Sequence, residues 1–520
     1  MKKAHALLLL ILCAGITEAF AESYRISTVE YDITGITRQY AVEQKVLVDK
    51  KQVFEGADAL LDYISDYKQQ LENTRVFDTV SVDFSVGEPD EDGIAPVTLF
   101  VQVKDSLHFI ATPYPKYDSN SGFSLRLKAK DTNFLGSMEA MSADFNFAVE
   151  QDSEDEPAEY TFGLSIDFDT PFKLGAFNAV WTNAHEISYT IGSSTPEWNF
   201  QTGLELELPF DRFSLCLDVY QSFIRDLDYE DDDINGVPIH YGDGTYFTED
   251  AKFSVPIVLQ EIQNWGKIYY EPYLQAVYNW DFDGISDKNE DLTGPVLTIG
   301  QTLSTSRVNW EGNLRTGIDA SLTQSFAYNV QENNFIPGIS GEFKAYKAFK
   351  YFGLCTDIYA FAYLNGKSAI GSRLRGIRDD QYFSDGSGHA DQKACETPAA
   401  FIVNIDIPIR LFRIYWERVP LVRKVPFAKY LDFEFQISPF FDFALLHNRA
   451  TRTDFHYRDG FYAGGLEAII YPLRWKGIQL RASFGIDLGR KLPGLKGKLN
   501  QDWRKGVSAY ELSIGIGLHY

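Results

Sequence analysis

Arg373-Leu374-Arg375-Gly376-Ile377 is the stretch of this chain best equipped for recognition chemistry. It lies in a loop of about thirty residues, after a strand-like run from Tyr351 to Asn365 and before another from Ala400 to Phe412. An arginine offers a planar, five-donor fork that seeks a carboxylate. The glycine beside it lets backbone approach closely or adopt a positive φ. A candidate carboxylate is Asp442, in the run Ile437-Ser438-Pro439-Phe440-Phe441-Asp442-Phe443-Ala444. These residue types suggest a loop tip folded back onto a wall of the protein. The alternative is an ordinary exposed loop carrying a surface arginine.

Other residues with chemical potential are weaker. His447, Asp454 and His456 share one segment, which solvation of a loop explains better than catalysis. The Gly-x-Ser-x-Gly elbow of hydrolases is missing, as is any His-rich metal spacing. No catalytic residue, cofactor or metal is therefore assigned. Acidic stretches at Glu150 to Glu156, Glu230-Asp231-Asp232-Asp233 and Asp281-Phe282-Asp283-Gly284 could attract calcium. They lack a full ligand loop and read as solvated loops between strands. Cys216, Cys355 and Cys395 are too few and too scattered for a disulfide framework. Cys355 and Cys395 could pair across the loop, but buried thiols fit them better.

At 520 residues the chain exceeds one ordinary domain. Met1-Lys2-Lys3, an apolar run from Ala6 to Ile16, and Ala19-Phe20-Ala21 form a secretory-signal pattern over residues 1–21. Beyond it no apolar stretch approaches the roughly 20 residues of a membrane-spanning helix. The net charge of −25 argues against nucleic acid as a partner. Tyr and Phe are abundant, 30 and 39 residues, as suits a barrel with aromatic girdles.

Residues 22–105 form a separate segment. Val29, Tyr31 and Ile33 alternate with polar residues as a strand. Thr37 is a candidate cap for a short helix at about 38–46. A second helix is expected from Phe54 to Glu72, with Ala57, Leu60, Leu61, Ile64 and Leu71 on one face. Two alternating runs follow, giving a β-α-α-β-β module.

From Ser106 to Tyr520 the helical period disappears and alternating runs recur. Ile478, Leu480, Ala482, Phe484, Ile486 and Leu488 face one way; Gln479, Arg481, Ser483, Gly485 and Asp487 face the other. Val403, Ile405, Ile407, Ile409 and Leu411 oppose Asn404, Asp406 and Arg410, and Leu512 to Tyr520 repeats the pattern. At roughly 26 residues per strand and connection, this region predicts a transmembrane antiparallel β-barrel of about 16 strands.

In these features the chain resembles the BamA/TamA superfamily of outer-membrane assembly and translocation barrels (the bacterial surface antigen type), in a form with a single POTRA-like domain. Leu71-Glu72-Asn73-Thr74-Arg75-Val76-Phe77 resembles the family's helix-to-strand junction. Asp131-Thr132-Asn133-Phe134-Leu135-Gly136 resembles the end of its second barrel strand. Leu374-Arg375-Gly376-Ile377 is similar to its loop motif, with Ile377 where an aromatic is usual. Phe441-Asp442-Phe443-Ala444 resembles the partner strand, with Ala444 in place of a usual glycine. Gly464-Gly465-Leu466-Glu467 through Asp487 resembles the penultimate hairpin. Ser513, Gly515, Leu518 and Tyr520 fit the terminal sorting signal.

The resemblance implies an outer-membrane location with the small domain in the periplasm. It also implies a lumen occupied by the loop at about 367–398, where Arg375 pairs with Asp442. Alternation independently turns Asp442 away from Phe441 and Phe443, hence inward. The implied activity is non-enzymatic insertion or translocation of unfolded client polypeptides or outer-membrane proteins, in contact with outer-membrane lipid. A periplasmic partner at the small domain is implied as well. The route would be a seam between first and last strands. Pro113 and Pro115 on the first cannot donate to a ladder, and Gly515 and Gly517 on the last pack poorly. The alternatives are a passive porin, a dedicated secretion pore and a barrel enzyme.

Overall fold

The computed structural model describes residues 23–118, 122–150, 158–234, 237–262, 265–281, 292–377, 381–383, 392–420, 422, 424–425, 428–492, 498–505 and 509–517. Side chains at 114–118, 122–124, 150, 227–234, 237–242 and 429 stand outside that description. So do the expected signal segment and the acidic residues 151–157 and 282–291. The chain divides into two compact units between Asp105 and Ser106.

In the first unit, a four-stranded sheet runs in the order Val53–Glu55, Ser23–Thr34, Ile94–Asp105, Phe77–Val86. The two central strands are parallel, and the others join them antiparallel. Helices Gln39–Lys45 and Ala57–Asn73 complete it. Leu60, Ile64, Tyr67 and Leu71 are the buried stripe of the longer helix. Leu61, expected on that stripe, is 48% exposed, and Ala57 is exposed too. Leu61 lies about a quarter-turn off the 60/64/67/71 line, and Ala57 is the first residue of the helix. Phe54 is not helical: it belongs to the short strand and joins the core with Tyr24, Ile26, Val97 and Leu99. Thr37 does not cap the first helix. Arg38 occupies that position, and the Thr37 hydroxyl donates to Asp105 Oδ1 at 2.7 Å. The same carboxylate accepts the backbone N–H groups of Ile36 and Thr37 at 2.7 and 3.0 Å, tying the strand end to the helix start.

In the second unit, twenty-one strand segments among the described residues form one closed antiparallel barrel, with the last strand, Tyr510–Ile516, beside the first, Phe109–Asp118. Three segments add no wall. Ile257–Ile262 and Ile409–Ile414 continue Val237–Ser254 and Ala399–Asp406 past a proline against the same neighbour. Thr453–Asp454 only extends the hairpin that leaves Phe433–Asn448. Eighteen walls remain, more than the spacing of alternating runs suggests. Two-residue turns explain the difference: Gly175-Ala176 and Gly312-Asn313 each link long strands, using left-handed glycines with φ of 63° and 70°.

The barrel's outer surface is apolar around its circumference. Leu127, Phe145, Leu164, Trp181, Val219, Phe253, Leu274, Ile299, Leu322, Phe343, Leu411, Leu466, Phe484 and Leu512 are all exposed. A soluble protein does not present such a continuous patch to water. On a closed barrel it is the lipid-facing band, so this unit is a transmembrane β-barrel. Among the described residues no helix is long and apolar enough to cross a membrane, so the strands are the spanning elements.

Candidate functional site

The sequence places one short polar–glycine loop tip against strands whose alternate residues point inward. Residues 370–377 lie on the inner wall. Gly371–Arg373 forms a single 3-10 turn after Ile370, and the chain then extends through Leu374 and Arg375 to Gly376, with a φ of 92°. Ile370, Leu374 and Ile377 are buried in a cluster with Phe361, Cys395, Ile402, Leu446 and Phe461. Leu374 and Ile377 therefore act as apolar pegs on either side of the arginine. The aliphatic Ile377 does this without an aromatic ring.

Arg375 is bound on every side. Its Nε donates to Asp442 Oδ2 at 2.9 Å, its Nη2 to Asp442 Oδ1 at 2.6 Å, and its backbone N–H to Asp442 Oδ2 at 3.0 Å. Nη1 and Nη2 also reach the two oxygens of Asp406, at 2.7 and 3.0 Å. Glu467 Oε1 lies 3.4 Å from Nη1, and the guanidinium carbon sits 3.7 Å from the Phe440 ring centroid. The Arg375 side chain is 7% exposed and Asp442 fully buried, so the exposed-loop alternative does not describe this residue. Arg481 shares Glu467 at 3.4 Å, so three carboxylates face two guanidinium groups. Removing one member of such a desolvated set leaves an uncompensated charge, a cost of roughly 3–5 kcal/mol.

Gly376 is required by space as well as by φ. A Cβ there would lie 2.6 Å from the backbone nitrogen of Ile486 and 2.7 Å from the carbonyl carbon of Gly485. Two glycine backbones thus pass each other where the loop crosses the strand Leu480–Asp487. The crossing presents the Gly376 N–H to Glu511 Oε2 at 2.7 Å. Asn404 Nδ2 holds the Arg373 carbonyl at 2.7 Å, while the Arg373 guanidinium lies 3.6 Å from the Tyr359 ring centroid and donates to Glu342.

A second buried arginine was not anticipated. Arg504 lies between the last two strands in sequence; Nη1 is 2.8 Å from Asp487 Oδ2, and both side chains are fully buried. It also donates to Gln501 and Gln381, bringing the segment 498–505 onto the described part of the first loop. Tyr382 and Lys505 exchange backbone hydrogen bonds there, and Trp503 meets Phe383 and Phe461 edge-on.

The remaining expected residues are dispersed. Pro113 and Pro115 lie within the first strand, in register with Leu127 and Leu125 of Gly122–Asp131. Ser513 and Gly515 lie in the last strand; Gly517 follows it with φ 103°. Leu518 and Tyr520 lie outside the described residues. The second-strand motif makes a compact turn: Asn133 Oδ1 accepts from Met138 N–H at 2.9 Å, and Leu135 and Gly136 have φ of 54° and 74°. His447 and Asp454 form an exposed surface pair. Cys355 and Cys395 are both buried. Among the described residues no group of three or more His, Cys, Asp or Glu could hold a metal ion.

The site and fold are therefore those of a lipid-facing barrel with an arginine-clamped loop on its inner wall. No family model and no curated protein matches the chain. Among solved structures it is similar to CdiB from Acinetobacter baumannii, at 14% identity over 95% of this chain and 74% of that one, TM-score 0.46. It is also similar to BamA from Haemophilus ducreyi lacking POTRA domains 1–3 (11% identity, 95% and 85% coverage, TM-score 0.37). CdiB from Escherichia coli gives 10% identity, 96% and 92% coverage, and TM-score 0.36. At these identities and TM-scores the likenesses transfer no function to this chain.

Proposed function

We propose that this chain inserts or translocates polypeptides at the outer membrane, as the BamA/TamA resemblance implies, through a seam between its first and last strands. The observation that carries the reading is the clamped loop. A passive pore gains nothing from a buried guanidinium held by three carboxylates of its own wall, whereas a barrel that must open a seam and stay folded needs an internal brace. In this reading Leu374, Arg375, Gly376 and Ile377 form the brace and Asp442 its main anchor. Pro113, Pro115 and Gly515 lie on the strands that part, and Gly517 directly follows the last of them. Ser513, Gly515, Leu518 and Tyr520 direct the chain's own assembly into the membrane. The small unit, in the periplasm, docks unfolded clients or a partner subunit, and the barrel exterior contacts outer-membrane lipid.

An engineered disulfide between first and last strands tests the reading. Client assembly should stop while the barrel remains folded and gains thermal stability; assembly that continues with the seam locked contradicts it. Deleting residues 24–105 should leave a barrel in the outer membrane that no longer assembles clients.

One observation favours the porin reading: the inner wall away from the loop is lined by half-exposed serines, threonines and acids. Single-channel recording separates the two, since a porin conducts steadily and a braced assembly barrel stays mostly closed.

A further inference from the structure

The two ends of the seam are held by groups that lie outside the strand ladders, and the two ends differ. At the end where the first strand begins, the turn Leu473 to Gln479 ties both edge strands. Leu107 N–H donates to the Arg474 carbonyl at 2.8 Å, and Gly517 N–H to the Gln479 carbonyl at 2.8 Å. Trp475 Nε1 donates to the Phe109 carbonyl at 2.8 Å. Gly477 lies so close to Thr132 that a Cβ would come within 3.0 Å of its Cγ2. The turn belongs to the hairpin between Phe461–Pro472 and Leu480–Asp487, so it reaches past the last strand to grip the first.

At the opposite end, among the described residues, the last strand is held outside its ladder by the Glu511 side chain and by a backbone bond from Asp487 N–H to the Ala509 carbonyl at 2.9 Å. Glu511 stands in register with Gly485, the residue whose missing side chain lets the loop tip pass. There Glu511 accepts the Gly376 N–H at 2.7 Å. This charge-assisted bond fixes the end of the last strand to a loop that is itself clamped through Arg375 to neighbouring walls.

We propose that Glu511 is the latch and the Trp475 turn the hinge of the seam, so that the last strand swings away from the loop end while staying tied at the turn end. The proposal rests on the lateral-seam reading above and assigns its direction and its positioning residues. Breaking the Glu511 bond frees the last strand from the clamped loop, whereas the turn end ties both edge strands, the first through Leu107 and Phe109 and the last through Gly517. Client polypeptide would then enter the seam between Tyr510 and the far end of the first strand.

Paired spin labels test this in the full-length barrel without any client. One pair joins Leu512 and Leu125 at the latch end; the other joins Ile516 and Ala129 at the hinge end. Glu511→Ala should lengthen part of the latch-end distance distribution by about one strand spacing, ~5 Å, and leave the hinge-end pair unchanged. Glu511→Gln keeps an acceptor for the Gly376 N–H and should restore the wild-type distribution. Trp475→Phe keeps the ring, loses the donor, and should broaden the hinge-end pair instead. Heat-modifiable migration confirms that each variant is a folded barrel. A latch-end distribution in Glu511→Ala identical to wild type, or equal broadening at both ends, overturns the proposal. Client assembly by the same variants reports separately on the lateral-seam reading: a seam that opens as described without changing assembly leaves the device standing and removes its assigned purpose.

Discussion

Two stretches of the barrel's inner wall are built from different residues. On Phe433–Asn448 every second residue is buried, from Glu434 through Asp442 to Asn448. On Glu159–Leu174 none is. The inward positions of the first wall include Ile402, Ala444, Leu446 and Phe461 among its carboxylates. The second wall, which continues to Leu314–Asn329, offers Ser165, Asp167, Thr302, Thr323 and Ser325, all half-buried or exposed. An inward isoleucine is stabilising only if something covers it, at about 25 cal/mol per Å² of apolar surface removed from water. Serine and threonine can face water without that cost. The difference teaches that the loop is a designed half-lining: one wall was written to receive it and the other was not.

The largest effect should come from a charge on the covered wall. Asp442→Ala leaves Arg375 without three of its hydrogen bonds and should cost roughly 3–5 kcal/mol. Glu186→Ala, on the uncovered wall, should change stability by about 0.5 kcal/mol or less. Thermal unfolding followed by heat-modifiable migration measures both, and equal losses would erase the distinction between the walls. Arg504→Ala should behave like the covered-wall variant, because Asp487 is fully buried beside it.

Apolar contacts should come next. Ile402→Ala opens a cavity under the loop and should cost about 2–5 kcal/mol. Ser325→Ala should stay within about 0.5 kcal/mol. If Ile402→Ala is as mild as Ser325→Ala in the same assay, the loop does not pack as described.

Much of this was legible in the sequence. The alternation of Leu480 to Asp487 and of Leu512 to Ile516 marked strands with one apolar face, and the Arg-Gly pair marked a loop that needed a carboxylate. Asp442 could be named because its neighbours Phe441 and Phe443 face the other way. Asp406, Glu467 and Glu511 could not be singled out, although each lies on the polar face of its strand. Their convergence depends on register: Asn404 opposite Asp442, Gly465 opposite Gly485, and Gly485 opposite Glu511. Alternation fixes the face a residue takes but not its height on the wall. Arg504 was missed for a related reason, since its partners Asp487, Gln501 and Gln381 come from separate segments. In the small unit, Thr37 carried a true capping signal, yet Asp105 across the sheet competes for its hydroxyl.

A double-mutant cycle on the two walls tests the central claim most directly. The covered pair is Arg375 with Asp442, 7% and 0% exposed. The uncovered pair is Lys252 with Glu271, 2.8 Å apart but 32% and 26% exposed. Each partner is replaced by alanine, singly and together, and unfolding free energies are compared. For Arg375 and Asp442 the losses should be strongly non-additive, with a coupling of about 2–3 kcal/mol, because either change already removes the shared interaction. For Lys252 and Glu271 the coupling should be about 1 kcal/mol or less. Additive losses at Arg375 and Asp442, or the same small coupling on both walls, would mean that the loop is not clamped to the wall it covers.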